Sequence, residues 1–393
     1  MKYVRDIKEQ LIGAAREFPV VTVIGPRQSG KTTLVRDVFP DKPYRSLENP
    51  DIRAFAHEDP RGFLGGLQSG AVLDEIQRAP ALLSYLQGIV DEDNIPGRFV
   101  LTGSQHFLLM EGIGQSLAGR TALLTLLPLS LVEIARQKPP CALLEIMQRG
   151  FYPRLHERPV NAYAAQRDYF QTYVERDVRQ LLKVHDLLTF ETFVRLCAGR
   201  VGQLLNLASL AADSGISSTT ARDWISILEA SFILFRLQPW HANISKRLIK
   251  TPKLYFHDVG LAAYLCGIEE QGQIATHPLR GNLFENMVVG ELLKRRFNSG
   301  LDNRLCFFRD RAGSEVDILF PNGPRYLPVE IKSGQTIHSE WFKPLASMAK
   351  LNPAVLQPGL VVYGGDEIQQ RTSGVACGIW DMARVLDDYL GES

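Results

Sequence analysis

The sequence predicts an α/β protein. It has a parallel sheet flanked by helices in its N-terminal part, a mainly helical middle part, and a second α/β part at the C-terminal end. Short apolar strands alternate with helical segments at first, which is typical of a parallel sheet covered by helices. Helical segments dominate after about residue 135, and from about residue 280 a helix precedes several strands. These changes of pattern predict four units: residues 1–135, 136–200, 201–279 and 280–393.

Length and composition describe a globular protein of several domains. The 393 residues exceed one ordinary domain, and 45% hydrophobic with 22% charged residues is typical of globular chains. The formal net charge of +1 gives no overall basic excess that would indicate nucleic-acid binding, although local basic patches remain compatible with it. Five scattered cysteines without a C-x-x-C pair predict free thiols and a cytoplasmic protein. The most apolar run, residues 122–134, is too short for a membrane span, so no membrane contact is expected.

The motif on which the other predictions depend follows the apolar strand at residues 20–24. It consists of Gly25, Pro26, Arg27, Gln28, Ser29, Gly30, Lys31, Thr32 and Thr33, and it matches G-x-x-x-x-G-K-[ST] between a strand and a helix. Gly25 and Gly30 let the backbone turn tightly, and the N–H groups of the loop and helix N-terminus attract phosphate. Lys31 is predicted to reach the β- and γ-phosphates, while the Thr32 hydroxyl holds Mg²⁺. The motif therefore predicts a P-loop that binds ATP with Mg²⁺; an ordinary glycine turn is the alternative.

Two carboxylates and two further polar residues complete the predicted hydrolysis site. Asp74 and Glu75 end a second apolar strand; Asp74 would hold Mg²⁺, directly or through water, and Glu75 would polarise the attacking water. Ser104 follows a third strand and is a candidate sensor of the γ-phosphate, or else a polar turn residue. Arg120 is a candidate for neutralising transition-state charge, in cis or across a subunit contact, or else a surface arginine. The predicted catalytic residues are therefore Lys31, Glu75, Ser104 and Arg120.

The predicted sheet brings these motifs to one edge. Ligands of open α/β sheets bind at the carboxyl ends of the strands, which is where the motif residues fall. Arg27 is unusual inside such a loop. Contact with a phosphate and a lock on a neighbouring domain are both open interpretations of this arginine.

Three motifs together resemble a widespread prokaryotic family of AAA-type ATPases: Gly25-Pro26-Arg27-Gln28-x-Gly30-Lys31-Thr32-Thr33, Leu73-Asp74-Glu75-Ile76-Gln77 and Leu101-Thr102-Gly103-Ser104. Further matching pieces are Tyr173-Val174-Glu175-Arg176-Asp177, residues 252–261 and Glu330-Ile331-Lys332-Ser333-Gly334, so the resemblance covers nearly the whole chain. It implies ATP binding, a winged-helix segment after the ATPase domain, and a C-terminal domain of the restriction-endonuclease-like, PD-(D/E)XK, type. The biological roles of the family are mostly unassigned.

The middle of the chain has helix–turn–helix spacing. Residues 204–212 are predicted as a helix, residues 213–216 as a turn, Ser217 as an N-cap, and residues 218–230 as a second helix. A hairpin over residues 232–256 would supply a wing. The residues that a DNA-binding domain of this kind would present are Ser218, Thr219, Thr220, Arg222 and Asp223 on the second helix, and Arg236, Lys246, Arg247, Lys250 and Lys253 on the hairpin. Because the second helix has one basic residue in this set, an ATPase lid or a protein contact is the alternative to DNA binding.

Ionisable residues on apolar strands mark the C-terminal part. Asp317 lies on one strand, Glu330 and Lys332 share a face of the next, and Glu285 lies on the preceding helix. Such groups are costly to bury unless they face a cleft or a metal. They match the E…D…E-x-K arrangement of endonuclease-like folds, in which Asp317 and Glu330 would bind Mg²⁺. Glu285 would complete the metal shell, Lys332 would stabilise the attacking hydroxide or the phosphorane, and Glu291 is a rival for the helical carboxylate.

Two functions are consistent with these predictions. In the first, a Mg²⁺-dependent ATPase is coupled to a winged-helix and nuclease-like C-terminal domain that acts on DNA. In the second, ATP operates a regulatory switch or scaffold, and the C-terminal domain binds nucleic acid or a protein without cleaving it. Besides ATP, the candidate partners are DNA and further copies of the chain.

Overall fold

The chain folds into helices and strands that confirm the predicted α/β class. A computed structural model describes residues 3–104, 113, 116–174, 187–240, 251–309, 314–351 and 359–391. Within these ranges the strands form one sheet of five strands and one sheet of eight.

The N-terminal sheet is parallel throughout. Its strands are β1 (Val20–Ile24), β2 (Tyr44–Ser46), β3 (Ala71–Asp74), β4 (Phe99–Gly103) and β5 (Thr121–Thr125). They lie in the order β2-β3-β4-β1-β5, so β1 is paired with β4 on one side and β5 on the other. The helices of this part are α1 (Lys8–Glu17), α2 (Lys31–Val38), α3 (Pro50–Glu58), α4 (Pro60–Gly65) and α5 (Leu82–Glu92), with a 3₁₀ turn at Ile76–Arg78. Because the strands are parallel, the segments that follow β1, β3 and β4 meet at one edge.

Both faces of the sheet are covered at β1. All five residues of β1 are buried; Val21 and Val23 pack with Leu34 of α2 on one face, and Val20 and Ile24 join the larger core on the other. A strand that is covered on both faces favours apolar residues at nearly every position, which explains the four aliphatic residues of β1; the one polar residue, Thr22, is buried with its hydroxyl 3.0 Å from that of Thr121. Strand β5 lies in the apolar run 122–134, for which the sequence predicted burial but no strand.

The middle part is helical. Its helices are α6 (Leu131–Ala135), α7 (Leu143–Arg149), α8 (Pro153–Glu157), α9 (Ala162–Tyr169), α10 (Leu187–Ala198), α11 (Leu207–Ser214) and α12 (Ser218–Ala230), with a π-helical turn at Phe170–Val174. The predicted helix–turn–helix is present. Gly215 has a φ of 68°, and the Ser217 hydroxyl caps α12 by accepting from the Thr220 N–H at 3.0 Å. The first helix begins later than predicted because Asn206 is its N-cap and Leu204 pairs with Lys253 in a β-bridge.

The second sheet is mixed. Its strands are β6 (Leu234–Pro239), β7 (Lys253–Phe256), β8 (Cys306–Arg309), β9 (Glu315–Asn322), β10 (Arg325–Lys332), β11 (Gly359–Tyr363), β12 (Gln369–Arg371) and β13 (Gly374–Gly378). The order is β12-β13-β11-β10-β9-β8-β6-β7. The accompanying helices are α13 (Val259–Leu265), α14 (Gln271–Thr276), α15 (Arg280–Asn298), α16 (Lys343–Leu351) and α17 (Met382–Leu390), with a 3₁₀ turn at Ser339–Phe342.

The predicted wing hairpin continues into this second sheet. Strands β6 and β7 pair antiparallel, as predicted, but β6 also pairs in parallel with β8 through Gln238 and Cys306. The Trp240 N–H extends this contact by donating to the Phe307 carbonyl at 2.6 Å. The sheet therefore crosses the boundary that the sequence placed at residue 279.

Two sequence expectations about the whole chain can be compared with the structure. The five cysteines all lie within the described residues, and no disulfide bond joins any of them. Among the helices that the structure describes, none has the length and apolar character needed to cross a membrane.

Candidate active site

The loop between β1 and α2 has a backbone that requires glycine at two positions. Gly25 has a φ of +151°, and a Cβ there would lie 2.1 Å from the Leu126 carbonyl oxygen. Gly30 has a φ of +96° and is the N-cap of α2. The first N–H groups of a helix have no partner within the helix, so this end of α2 is suited to bind an anion.

Lys31 is buried within its own loop. Its ammonium donates to the carbonyl oxygens of Gly25 at 2.9 Å and of Pro26 at 2.8 Å, and the residue is 5% exposed. The positive charge is therefore held at the loop itself, beside the N-terminus of α2.

Thr32 and Asp74, the two predicted Mg²⁺ ligands, lie in contact. The Thr32 hydroxyl donates to Asp74 Oδ1 at 2.9 Å. Tyr44 donates to Asp74 Oδ2 at 2.7 Å and Thr102 to Oδ1 at 2.5 Å, so three hydroxyl groups fix the carboxylate. Burial, followed by the bond to Asp74, raises the pKa of Tyr44 to about 12, so the phenol keeps its proton for this hydrogen bond. The oxygen atoms of Thr32 and Asp74 are the ligand type that Mg²⁺ prefers.

Glu75 and Ser104 also lie in contact. Glu75 Oε2 accepts from the Ser104 hydroxyl at 2.9 Å and from the amide of Gln77, which in turn donates to the Ser104 hydroxyl at 3.1 Å. Glu75 has a φ of 59°, in the left-handed region that is strained for a side chain larger than glycine. Gln77 was not among the predicted site residues, although it stands in the Asp-Glu-Ile-Gln motif that the sequence singled out.

A cavity of about 420 Å³ opens beside these residues, which is within the range of small-molecule sites. Gln28, Lys31, Thr32 and Glu75 line it together with residues of the segment 153–158. That segment contributes two arginines that the sequence analysis missed, Arg154 and Arg158. In the described part of the chain neither guanidinium has a hydrogen bond or an ion pair. Only the order Pro153-Arg154 at a helix start could have drawn notice in the sequence, and nothing there indicates proximity to the loop.

Arg120 lies at the amino ends of the strands, opposite the end of the sheet where the phosphate loop lies. Its carbonyl accepts from the Val20 N–H, which places it just before β5 at the amino ends of the parallel strands. Its half-buried side chain is ion-paired with Asp91. The predicted role in cis is therefore wrong, because the phosphate loop lies at the carboxyl ends. A role across a subunit contact stays a prediction.

The Arg27 side chain lies near a carboxylate of a neighbouring segment. Its guanidinium lies 3.7 Å from Glu48, which is also 3.8 Å from Arg78. Glu48 follows β2, so this ion pair connects the phosphate loop to the segment after β2 in the same sheet. The two interpretations of Arg27, contact with a phosphate and a lock on a neighbouring domain, both stay predictions.

Arg5 connects the phosphate loop to the segment after β5. Its guanidinium donates to the Ser29 carbonyl and to the Leu127 carbonyl, each at 2.6 Å, and to Glu133 at 3.1 Å. Glu133 is 1% exposed and also accepts from the N–H of Ser130 at 2.9 Å, which completes a capping box on α6. An arginine near the start of the chain thus holds the loop from the side.

Glu291 belongs to a contact between α15 and the start of α6. Its Oε2 accepts from the Leu131 N–H at 2.8 Å, at the first turn of α6, and its Oε1 accepts from Lys294 at 2.6 Å. Lys294 is 2% exposed and donates to the Leu129 carbonyl at 2.8 Å. The alternative that Glu291 is the helical carboxylate of the C-terminal cluster is therefore wrong.

Glu285, Asp317, Glu330 and Lys332 do converge. Lys332 lies 2.5 Å from Glu330 and 3.8 Å from Asp317, while Asp317 also accepts from the Ile331 N–H at 2.8 Å. Burial and the nearby Asp317 carboxylate raise the pKa of Glu285 to about 7 and that of Glu330 to about 8.

A fifth residue, Lys253 of β7, enters this cluster and bonds to Glu285 at 3.0 Å. Lys253 was predicted as a basic residue of the wing, but it is 4% exposed and points into the C-terminal sheet. Arg236 is paired with Glu229 at 2.6 Å. Lys246, Arg247 and Lys250 lie outside the described residues, as do Glu175, Arg176 and Asp177 of the quoted family motif.

On α12, the predicted contact residues Ser218, Thr219, Arg222 and Asp223 are exposed, and Thr220 is half-buried. The buried Ala221 and Trp224 turn the other face of the helix into the core. The polar face is therefore accessible, with Arg222 as its basic residue in the predicted set.

Family models match three consecutive parts of the chain. A model described as an AAA domain matches residues 17–135. Models described as domains of unknown function, DUF8612 and DUF4143, match residues 142–272 and 280–382.

Relatives extend the match over most of the length. The chain is 32% identical over 360 residues to the uncharacterized protein Rv2008c of Mycobacterium tuberculosis, a match that covers 90% of this chain and 80% of the relative. The uncharacterized protein Mb2031c of Mycobacterium bovis matches equally.

Solved structures give weaker likenesses. The Walker-type ATPase paby2304 of Pyrococcus abyssi has a TM-score of 0.45 and 14% identity, with 66% of this chain and 94% of that chain covered. AMPPCP-bound DnaA from Aquifex aeolicus has a TM-score of 0.29 and 13% identity, with 57% and 85% covered.

Proposed function

This chain belongs to the same family as the mycobacterial proteins Rv2008c and Mb2031c, its residues 17–135 are an AAA domain, and from that premise we propose that it binds and hydrolyses ATP with Mg²⁺. The contact between Thr32 and Asp74 is the observation that carries the proposal. A hydroxyl at the start of α2 and a carboxylate at the end of β3 lie 2.9 Å apart beside a cavity of suitable size. Bound Mg²⁺ would offset the negative charge of the phosphates.

The phosphate loop supplies binding. The N–H groups that open α2 would donate hydrogen bonds to the phosphate oxygens. The Lys31 ammonium, now bonded to two loop carbonyls, would exchange these partners for oxygens of the β- and γ-phosphates. A charged donor that leaves neutral carbonyls for an anion gains a stronger hydrogen bond.

Glu75 is the proposed general base or water-orienting residue. Its carboxylate is held by Ser104 and Gln77, which limits its rotation at the wall of the cavity. Ser104 would sense the γ-phosphate by exchanging its bond to Glu75 for one to phosphate. Arg154, on α8, would stabilise the charge that develops on the γ-phosphoryl oxygens.

Binding by calorimetry and turnover by phosphate release test this proposal with wild type, Lys31→Ala and Asp74→Asn. We expect Lys31→Ala to abolish ATP binding and Asp74→Asn to remove the Mg²⁺-dependent part of it. Lys343→Ala is the control, because its ammonium is exposed and paired with Glu340 on the second half of the chain. A folded wild type that neither binds nor hydrolyses ATP with Mg²⁺ would show the proposal to be wrong.

A regulatory switch is the second candidate function, and the position of Lys253 favours it over DNA cleavage. The C-terminal carboxylates already contact two ammonium groups, those of Lys253 and Lys332. In this function ATP binding alters the contacts of the C-terminal domain, and the exposed face of α12 makes DNA a candidate partner. Titration of duplex DNA at several salt concentrations tests the partner, since each phosphate contact adds to the salt dependence of binding.

The four-unit division and self-association also remain proposals. We propose an ATPase domain at residues 1–135, a helical lid or linker region at 136–200, a winged-helix domain at 201–279 and an endonuclease-like domain at 280–393. Because β6 pairs with β8, the last two of these units share a sheet, and we expect limited proteolysis to release them together as one fragment. Mass measurement with and without ATP and Mg²⁺ tests self-association.

A further inference from the structure

The acidic cluster of the C-terminal sheet is built around an ammonium group. Lys253 Nζ lies 2.5 Å from Glu315, 3.0 Å from Glu285 and 3.9 Å from Asp317. The three carboxylates come from β9 and α15, whereas Lys253 comes from β7 at the far edge of the sheet order. The Tyr255 hydroxyl, on the same strand, donates to Glu285 at 2.5 Å. Strand β7 therefore directs both a cation and a hydrogen-bond donor at the carboxylates.

This arrangement does not fit a divalent ion as it stands. A magnesium ion needs oxygen ligands that converge at about 2.0–2.1 Å, and the Lys253 ammonium occupies the space between the carboxylates that would supply them. Asp317 Oδ2 already accepts a hydrogen bond from the Ile331 N–H. Over the described ranges no group of three or more His, Cys, Asp or Glu side chains is arranged to hold a metal ion.

The cluster nevertheless has capacity for more positive charge. It contains four carboxylates, Glu285, Glu315, Asp317 and Glu330, against three cations: the ammonium groups of Lys253 and Lys332, and the Arg309 guanidinium, which lies 3.6 Å from Glu315. Glu330 Oε2 is buried without a hydrogen-bond partner in the part of the chain that the structure describes, and the Glu330 side chain is 6% exposed. A buried, unpartnered carboxylate oxygen is costly unless a cation or a proton accompanies it.

We propose that the Lys253 ammonium is the resident cation of this cluster and that a divalent cation binds there only when Lys253 is removed or displaced. The Lys253 ammonium thus takes the place of a metal ion among carboxylates that have the composition of a metal site. This proposal goes beyond ATP hydrolysis and does not depend on it, because Lys253 and the phosphate loop lie in different sheets.

Titration of Mn²⁺ into the full, nucleotide-free chain tests the proposal, with free Mn²⁺ measured by electron paramagnetic resonance. We expect Lys253→Met to gain one Mn²⁺ site per chain relative to wild type, and Lys253→Met with Glu285→Gln to lose it again. Lys343→Met is the matched control, because it removes an exposed ammonium paired with Glu340 and should gain no site. All chains in this titration, wild type included, carry Asp74→Asn, so that the proposed Mg²⁺ site beside the phosphate loop does not contribute to the Mn²⁺ binding.

Two results would overturn the proposal. One is a folded Lys253→Met chain, verified by circular dichroism, that binds no more Mn²⁺ than wild type. The other is a chain with Lys253 intact that loses an Mn²⁺ site on Glu285→Gln, which would mean that the ion binds beside the lysine. This second comparison uses only chains with Lys253 intact, so it does not need the Lys253 variant to fold. Equal Mn²⁺ binding with and without Glu285→Gln in these chains supports the proposal.

Discussion

The Arg5 guanidinium donates to the Ser29 carbonyl of the phosphate loop at 2.6 Å. The two residues stand at the N-terminal end of the chain and inside the loop between β1 and α2, and their contact is buried. Because Arg5 also bonds to the Leu127 carbonyl and Glu133, it links the loop to the segment that leads into α6. A loop held in this way keeps its shape before any anion arrives, which lowers the entropy cost of binding.

Arg5→Met should weaken ATP binding about tenfold, or about 1.4 kcal/mol, because the loop loses this support. It should also lower the thermal midpoint, since each buried group left without its partner costs about 1–3 kcal/mol. Calorimetry and thermal unfolding measure the two effects. Arg384→Met is the control, because its pair with Asp381 is exposed, and such pairs contribute about 0–1 kcal/mol. Unchanged ATP affinity in a folded Arg5→Met chain would contradict the positioning role.

Glu75→Gln should retain ATP binding and lose at least about 100-fold in turnover, because an amide neither accepts a proton nor polarises water comparably. Ser104→Ala should have a smaller effect on turnover, since Gln77 still holds Glu75. Single-turnover phosphate release measures both. Equal turnover by Glu75→Gln and wild type would remove Glu75 from its role.

Arg154→Ala should reduce turnover by about 100- to 1,000-fold, the range expected when one donor to the transition-state charge is lost. Arg158→Ala reports whether the second arginine of the same cavity shares this role. Arg120→Ala is the matched control in the monomeric chain, because Arg120 lies at the other edge of the sheet and pairs with Asp91. If Arg154→Ala turns ATP over like wild type while Arg120→Ala is slow, the assignment of the cavity arginines is wrong.

Glu291→Gln should destabilise the chain by about 3–5 kcal/mol, because it leaves the buried Lys294 ammonium without its charged partner. The Leu131 N–H at the start of α6 loses a carboxylate acceptor as well. Urea unfolding measures the loss. Glu340→Gln breaks an exposed pair with Lys343 and should cost less than about 1 kcal/mol. Similar losses for the two variants would mean that the α15–α6 contact contributes little.

Local patterns predicted the parts of the site that stand in continuous segments. The strand, the two glycines and the Lys31-Thr32 pair of the phosphate loop lie within a few residues, and so do Asp74 and Glu75, so their geometry follows from the chain direction and the parallel sheet. The helix–turn–helix with Ser217 as its N-cap was predicted for the same reason. Each of these features needs only its neighbours in sequence to form.

The residues that the sequence missed depend on contacts between distant segments. Arg5 contacts the phosphate loop and Arg154 lines the cavity beside it, in each case from a segment distant in sequence, and neither stands in a motif. Lys253 was assigned to the wing as one of the basic residues of the predicted hairpin; it is buried because β6 pairs with β8 and carries β7 toward α15. Arg120 stands just before β5, a strand that the sequence did not predict, so sequence alone did not show which end of the sheet it would occupy.

Acid should destabilise this protein through His156 and His257. Burial lowers the pKa of His257 to about 3 and that of His156 to about 4, whereas an unfolded chain takes up these protons near pH 6.5. As the pH falls from 6.5 toward 4, the unfolded chain binds protons that the folded chain does not, so stability falls by up to about 1.4 kcal/mol per pH unit for each histidine.

His257→Phe isolates this effect, because Phe232 and Phe235 already contact the ring and offer apolar surroundings. We expect the free energy of unfolding, from urea titrations between pH 7 and 4.5, to fall less steeply with acid in the variant than in wild type. Glu285 and Glu330 act with the opposite sign, since stability from their raised pKa values is present below about pH 4.5 and is lost as the pH rises through 7 to 8. Both carboxylates are present in both chains, so their contribution cancels in the difference. Parallel curves for the two chains would mean that His257 takes up its proton in the folded state as readily as in the unfolded one.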